Sequence, residues 1–277
     1  MALSSIEKCG IRLCNNNFLD DASVTIAAET DYNGNTIGDI LDTRDFGVYR
    51  LTKDAVEDAF IFDITLPNSL EPTVFAMLPA DYNAFYLTAE SEVTVEASNF
   101  GFNAIQKTFT GRFSRFGVQV NFTENSVQNS YRYFRIKITT GNRTNFDETL
   151  DIKYFYFGDH VGLTTRNIAT GFGVSLNDLS QSFVAESGRE YFNEKDLQLS
   201  ISGLTFQFMG DSDRANFQKF YYDVRKSKNF LTILDPDDKI EAEYMELMRM
   251  MRFVNLPNQS HRLRDLFETS FELREAI

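Results

Sequence analysis

Residues Tyr131–Asp159, YRYFRIKITTGNRTNFDETLDIKYFYFGD, decide the fold class. In Tyr131–Thr139, Phe134, Ile136 and Ile138 alternate with Tyr133, Arg135 and Lys137. A period of two sends these sets to opposite faces of a strand with one buried side. In Leu150–Phe157, Leu150, Ile152, Tyr154 and Tyr156 share one face, and Asp151, Lys153, Phe155 and Phe157 the other. The polar pair comes first and the Phe pair last. This strand is therefore expected to start half-exposed and to end buried on both faces. Thr140–Thr149 holds Gly, Asn and Asp, which favour turns, so the two strands read together as a hairpin in a β core.

The same alternation recurs upstream. Val24 and Ile26 share a face in Ala22–Ala28, and Phe60, Phe62 and Ile64 share one in Ala59–Leu66. In Glu92–Ala97, Val93, Val95 and Ala97 alternate with Glu92, Thr94 and Glu96, which marks a wet side. Gly117–Phe122 puts Val118, Val120 and Phe122 together, while Asp31–Asn35, Pro67, Pro72 and Pro79–Asn83 supply turns and loops. Phe100–Thr108 reads as irregular. Many short strands between turn signals, with little convincing helix before about residue 160, predict a β-sandwich or jelly roll over residues 1–160.

The chain changes character near Asp159–Thr170, and residues 161–277 read as a second domain. Val161–Asn177 is a polar connector containing Gly171 and Gly173. Ser182–Glu186 and Arg189–Asn193 flank Ser187-Gly188, a hairpin turn. Asp196–Phe208 (DLQLSISGLTFQF) is a long alternating run whose phase slips at Gly203, the mark of a bulge. Asp211–Lys226 repeats Phe217, Phe220, Tyr221 and Val224 at helical spacing. Asp211 or Ser212 is expected to cap this helix, and Lys219, Arg225 and Lys226 suit its C-terminal end. Phe230–Leu234 and Phe267–Leu273 are further strands; Tyr244–Val254 reads as strand or helix, with strand preferred because Phe253-Val254 and the turn Leu256-Pro257-Asn258 frame it. The fold class is thus mainly β, a jelly-roll sandwich followed by a β domain with one helix.

The chain has 277 residues and a net charge of −13. Such a charge repels phosphate backbones and argues against specific nucleic-acid binding. Cys9 and Cys14 are too few for a disulfide scaffold and too isolated for a zinc site. The opening segment lacks the apolar core of a signal peptide, and no run of about 18 apolar residues suggests a membrane span. Synthesis in a reducing cytoplasm is expected.

No motif carries catalysis. His160 and His261 lie outside any HExxH pattern, and no GxSxG elbow or P-loop occurs. Asp235, Asp237 and Asp238 begin like a calcium loop, but Pro236 and Ile240 break the pattern and leave a solvated turn. Asp20-Asp21 reads as a plain loop before it reads as a cation site. Glu241 with Glu243, or Glu190 with Glu194, could be imagined as glycosidase carboxylates. A chain with 40 acidic residues offers such pairs everywhere. Arg112, Phe113, Arg115 and Phe116 mix basic and aromatic side chains, but in an acidic chain they read as a turn. No cofactor, metal or catalytic residue is expected. Aromatics on jelly-roll loops can stack on sugar rings, and Tyr32, Phe46, Tyr49 and Tyr82 are the candidates.

RYFRIKIT (132–139), a loop, and LDIKYFYFGD (150–159) resemble a module of tailed-phage (siphophage) tail-tip and distal-tail proteins. In that module two such strands close a discoidin/galactose-binding-like jelly roll. NNNFLDDASVTIAAE, Leu41-Asp42, Tyr49-Arg50 and AFIFDITL fit its front part. The Ser187-Gly188 hairpin with Arg189-x-Tyr191, the long strand, the helix, LDPDD and SFELRE resemble its usual companion, a tail-tube-like domain. The resemblance implies a structural protein of the virion tail, forming a homo-oligomeric ring, a hexamer or trimer, around the DNA channel. Tube, hub and fibre proteins would be its neighbours. It implies an inter-subunit element in Phe183–Leu199, carried by Phe183, Tyr191, Phe192, Leu197 and Leu199. The alternative it leaves open is a carbohydrate- or receptor-binding module, with a host-surface glycan as partner and Tyr32, Tyr49 and Tyr82 as contacts.

Overall fold

The computed structural model describes residues 11–21, 23–28, 48–52, 59–80, 92–114, 117–122, 130–139, 149–161, 172–184, 186–187, 189–193, 197–234, 248–263 and 266–276. The protein is mainly β, with antiparallel sheets and, among the described residues, one α-helix. It divides into two compact units. The first draws on residues 12–160 together with 233–248, and the second on residues 1–11, 161–232 and 249–277.

The first unit is a jelly-roll β-sandwich. One sheet has the order β2 (Thr25–Ala28), β4 (Ala59–Leu70), β10 (Tyr131–Thr139), β6 (Glu92–Ser98) and β7 (Lys107–Thr110). The facing sheet has the order β1 (Ile11–Asn17), β11 (Thr149–His160), β5 (Val74–Pro79), β9 (Gly117–Asn121) and β8 (Arg112–Ser114). β3 (Tyr49–Thr52) pairs with the start of β11. The chain passes from sheet to sheet between β4 and β5, β5 and β6, β7 and β8, and β9 and β10.

The decisive stretch crosses in the same way, which corrects its reading as a hairpin. β10 pairs with β4 and β6, whereas β11 pairs with β1, β3 and β5. The reason is apolar supply. Phe134, Ile136 and Ile138 need a facing layer, and Phe155 and Phe157 provide it across the sandwich. Phe134 meets Phe157 at 4.8 Å, Phe62 meets Phe155 at 4.8 Å, and Phe122 lies edge-on to Phe109, also at 4.8 Å. Each fully buried Phe contributes about 2 kcal/mol through surface removed from water.

The face assignment of β11 changes as well. A register shift between Ile152 and Tyr154 inserts a bulge. Leu150 and Ile152 therefore share the sandwich core with Phe155 and Phe157, while Tyr154 and Tyr156 turn away and are buried on the other side. The expected progression, half-exposed first and buried on both faces last, holds: Asp151 and Lys153 are half-buried, and 154–157 are buried. On the outer face of the β4–β10–β6 sheet, Arg135 donates to both carboxylate oxygens of Asp63 at 2.7 and 2.6 Å.

The Asn15–Asn17 run lies within β1. Asn17 explains why. Its Nδ2 donates to the Phe155 carbonyl at 3.1 Å, and its Oδ1 accepts from the Phe157 and Leu19 amides at 3.1 and 3.3 Å. The side chain is buried and does the work of a ladder bond where the β1–β11 register shifts. Asn17→Leu leaves those backbone groups without this partner. Urea unfolding is expected to show a loss of about 2–4 kcal/mol, since a buried polar group stripped of its bond carries its full desolvation cost.

The second unit holds an antiparallel sheet in the order β12 (Gly173–Asp178), β15 (Leu197–Met209), β19 (Leu266–Glu275), β17 (Met248–Phe253) and β16 (Phe230–Leu234). β18 (Asn258–Leu263) also pairs with β19. β12 falls largely within the expected connector Val161–Asn177. β15 slips register between Ile201 and Leu204, and Gly203 there has φ +73°, the predicted bulge. α1 (Asp211–Val224) lays Phe217, Phe220 and Val224 against Phe206, Phe230, Phe253 and Phe271. The helix departs from its expected ends. Gly210 is its N-cap and gives no side-chain bond, so neither Asp211 nor Ser212 caps it. It stops at Val224, where Arg225 turns to φ 53° and its amide bonds the Tyr221 carbonyl at 2.8 Å.

Two threonines in this unit, Thr232 and Thr269, are fully buried with hydroxyls that have no hydrogen-bond partner. Thr269→Val keeps the shape and removes the unsatisfied hydroxyl. A gain of about 1 kcal/mol in denaturant unfolding is expected, and a loss would mean that the hydroxyl is satisfied in solution.

Candidate functional site

Among the described residues, the sheet of the second unit ends at β12. Among the described residues this strand pairs only with β15, and all six of its residues are exposed. Its register fixes which side chains share a face: Val174 opposite Ile201, Leu176 opposite Leu199, and Asp178 opposite Leu197. Ile201 and Leu199 are buried, but Val174, Leu176 (63% exposed) and Leu197 are not. Among the described residues, the apolar face of the sheet thus runs out uncovered at its edge.

Beyond β12, β13 (Gln181–Val184) and β14 (Glu190–Asn193) form a two-stranded ribbon of their own. This is the hairpin expected around Ser187-Gly188. Phe183 and Tyr191 stack across the strands at 5.2 Å with their rings 14° from parallel. Phe192 and Val184 occupy the opposite face. Phe183 is 59% exposed and Phe192 67%, so the ribbon is apolar on both sides. An isolated two-stranded hairpin is marginal in water, and bare aromatic faces make it a contact element.

Of the interface candidates, Phe183, Tyr191, Phe192 and Leu197 are exposed and lie on this hairpin or at the start of β15. Leu199 departs from the expectation. It is 7% exposed and packs in its own sheet, because β12 and β19 flank it on both sides.

The sugar-contact candidates fare differently. Tyr49 is 4% exposed and belongs to the sandwich core, so its ring is not offered to a ligand. The pairing of β3 with β11 turns it inward. Tyr32, Phe46 and Tyr82 lie outside the described residues. Phe100, which the sequence reading passed over as irregular, is 79% exposed. Its loop is tied down by side chains. Ser98 Oγ donates to the Ala104 carbonyl at 2.6 Å and accepts from the Phe100 amide at 3.0 Å. Asn99 receives the Ser69 hydroxyl at 2.9 Å, donates through its side chain to the Ser130 carbonyl at 3.1 Å, and donates its amide to Gln106 Oε1 at 2.6 Å. A Ser-Asn pair at the end of a strand, followed by an aromatic, is the signal that could have found it.

Among the described residues, catalytic groups do not converge. The His160 ring meets the Thr73 hydroxyl at 2.8 Å, and the His261 ring lies against Phe267 at 5.0 Å. Burial pushes the Cys14 thiol up to about 12, which leaves it an inert core residue. Burial also pushes the Asp159 carboxyl up to about 6, against a hydrogen bond from Asn16 that lowers it, with the Glu71 charge raising it further. Asp21 folds back on Ser23, and its two hydrogen bonds hold its carboxyl below the ordinary range. Among the described residues no three His, Cys, Asp or Glu side chains are grouped to hold a metal ion. Asp235, Asp237, Asp238, Glu194, Glu241 and Glu243 lie outside the described residues, as do Cys9, Arg115 and Phe116. No helix of the described residues is long and apolar enough to cross a membrane.

No family model and no curated protein sequence matches the chain. Among solved structures it is similar to CBM32-1 from a family 31 glycoside hydrolase of Clostridium perfringens, at 14% identity, over 50% of this chain and 94% of that one, with a TM-score of 0.35. It is also similar to CpGH89 of Clostridium perfringens in complex with GlcNAc-alpha-1,4-galactose, at 13% identity and a TM-score of 0.32, over 52% of this chain and 14% of that one.

Proposed function

We propose that this chain is a non-catalytic assembly protein whose second unit joins subunits through the β13–β14 ribbon and the neighbouring β12 edge. The observation that carries the reading is the ribbon itself, a separate two-stranded sheet with exposed Phe183 and Tyr191 on one face and Phe192 on the other. Natural sheet edges are blunted or covered, and among the described residues nothing covers this one, so in this reading a second chain does. In its finer form the reading is a ring component of a virion tail tip. Residues 161–277 would form a tail-tube-like domain lining the channel, and residues 1–160 the jelly roll. That form rests on the sequence resemblance of 132–159 and of the Arg189-x-Tyr191 hairpin. Light scattering and electron microscopy of the purified chain, alone and with neighbouring tail proteins, test it. Closed rings are expected, and a chain that stays monomeric in every mixture would overturn it.

A second reading, carbohydrate binding by the jelly roll, is favoured by Phe100, an exposed ring on a loop held by hydrogen bonds among Ser69, Ser98, Asn99 and Gln106. Such a platform can stack on a sugar face at little entropic cost. On a glycan array the chain is then expected to bind a defined set of sugars and to lose at least tenfold in affinity on Phe100→Ala. Binding that survives the change places the contact elsewhere.

A further inference from the structure

The polar face of the same sheet carries a second, independent feature. Arg252 of β17 stands directly opposite Arg274 of β19, Arg274 opposite Ser200 of β15, and Ser200 opposite Ser175 of β12. Residues in register on adjacent strands point to one face, about 5 Å apart. Two guanidiniums and two hydroxyls therefore form a row across four strands. Four other arginines are matched with acids: Arg50 with Asp151, Arg135 with Asp63, Arg214 with Asp211 and Arg249 with Glu275. Among the described residues, Arg252 and Arg274 have no carboxylate partner, and the Nε of Arg252 is buried with no hydrogen bond. Glu272 lies two residues along β19 and is exposed. Like charges directly opposite on a sheet are destabilising. Burial and the charge of Arg274 both work against the Arg252 cation.

We propose that this row is a binding site for a single oxyanion group, a carboxylate or a phosphate. Guanidinium forks match the planar or tetrahedral oxygens of such groups and can each give two parallel bonds. An anion between the two cations removes their repulsion and gives the buried Nε an acceptor. Asn177 Nδ2 donates to Ser200 Oγ at 2.7 Å, which leaves the Ser200 hydroxyl hydrogen free to point at the anion. The net charge of −13 repels a polyanion at long range, so one isolated anionic group suits the row better than a nucleic-acid backbone. The site does not depend on the assembly reading.

The test is thermal unfolding of the full chain in sodium phosphate, in sodium acetate and in sodium chloride at matched ionic strength. Phosphate or acetate is expected to raise the Tm in a saturating way, by about 3 °C over chloride near saturation. A response to both anions marks a carboxylate-type site, and a response to phosphate alone a phosphate-type site. In Arg252→Gln/Arg274→Gln the response is expected to vanish while the Tm in chloride is unchanged or raised, because a repulsion is gone. A merely structural pair would lower it. Because the double variant could fold poorly, the wild-type arginine Nε–H resonances give a second readout. Two of them are expected to shift with phosphate, and the exposed Arg274→Gln removes one. Equal behaviour in all three salts, or a response that persists in the double variant, overturns the site.

Discussion

Gly158→Ala is expected to lower stability by about 4 kcal/mol or more, a fall in Tm of roughly 10 °C or more. The reason is steric rather than conformational. Gly158 lies in β11 opposite Asn17, with Val74 of β5 on its other side. A Cβ added there would sit 2.0 Å from the Asn16 carbonyl oxygen, 3.0 Å from the Asn16 carbonyl carbon and 3.2 Å from the Asn17 Cα. All three are backbone atoms, so no side chain can swing aside to relieve the clash. β1 must then move off β11. That movement also pulls Asn17 away from the Phe155 and Phe157 backbone groups that it serves. Gly173→Ala is the control. Its added Cβ would meet only the Ser202 hydroxyl, at 3.3 Å, and a change under about 1 kcal/mol is expected. If urea unfolding shows the two variants to be alike, the close approach of β1 to Gly158 is not a feature of the folded chain.

Gly158 also marks what sequence could and could not reveal. A glycine at the end of a dense aromatic strand reads as a stop signal, and β11 in fact continues through it to His160. Periodicity found the strands wherever one face is wet, as in β6 and β10, because alternation is then imposed on the residues themselves. It could not say which strands pair. Phe134, Ile136 and Ile138 look the same whether their neighbour is β11 or β4, and the long segment between β10 and β11 has the composition of a hairpin loop. Nor could it see the bulge after Ile152, since Tyr154–Phe157 is apolar at every position and a one-residue slip there leaves no polar mismatch. At the candidate site, the β13–β14 hairpin was legible from Ser187-Gly188 and its aromatic flanks. β12 was not, because GVSLND mixes Gly, Ser, Asn and Asp as a connector would. Phe100 was missed for a related reason: its order comes from Ser69, Asn99 and Gln106 side chains, which no period reports. Arg252 and Arg274 are 22 residues apart in sequence, and only the pairing of β17 with β19 sets them side by side.

Phe183→Ser combined with Phe192→Ser is expected to abolish assembly while leaving the fold intact. The two rings lie on opposite faces of the β13–β14 ribbon, since Phe183 pairs with Tyr191 and Phe192 with Ser182. Both are more exposed than buried in the single chain, at 59% and 67%, so removing them costs the monomer little. Surface changes of this kind stay within about 0.5 kcal/mol, and the Tm should not move by more than a degree or two. Association is another matter. A buried aromatic anchor is worth about 2 kcal/mol or more on truncation, so losing two weakens binding roughly a thousandfold. A ribbon apolar on one face only would lie flat on a neighbour, and one of the two changes would then do most of the damage. Apolar on both faces, it is best satisfied between two surfaces, and each single variant should weaken assembly by a comparable factor. Sedimentation velocity over a hundredfold concentration range separates these cases. Equal effects from the two single variants support insertion between surfaces. An effect from Phe183 alone points to contact on the Phe183–Tyr191 side, and unchanged assembly in the double variant removes the hairpin from the interface.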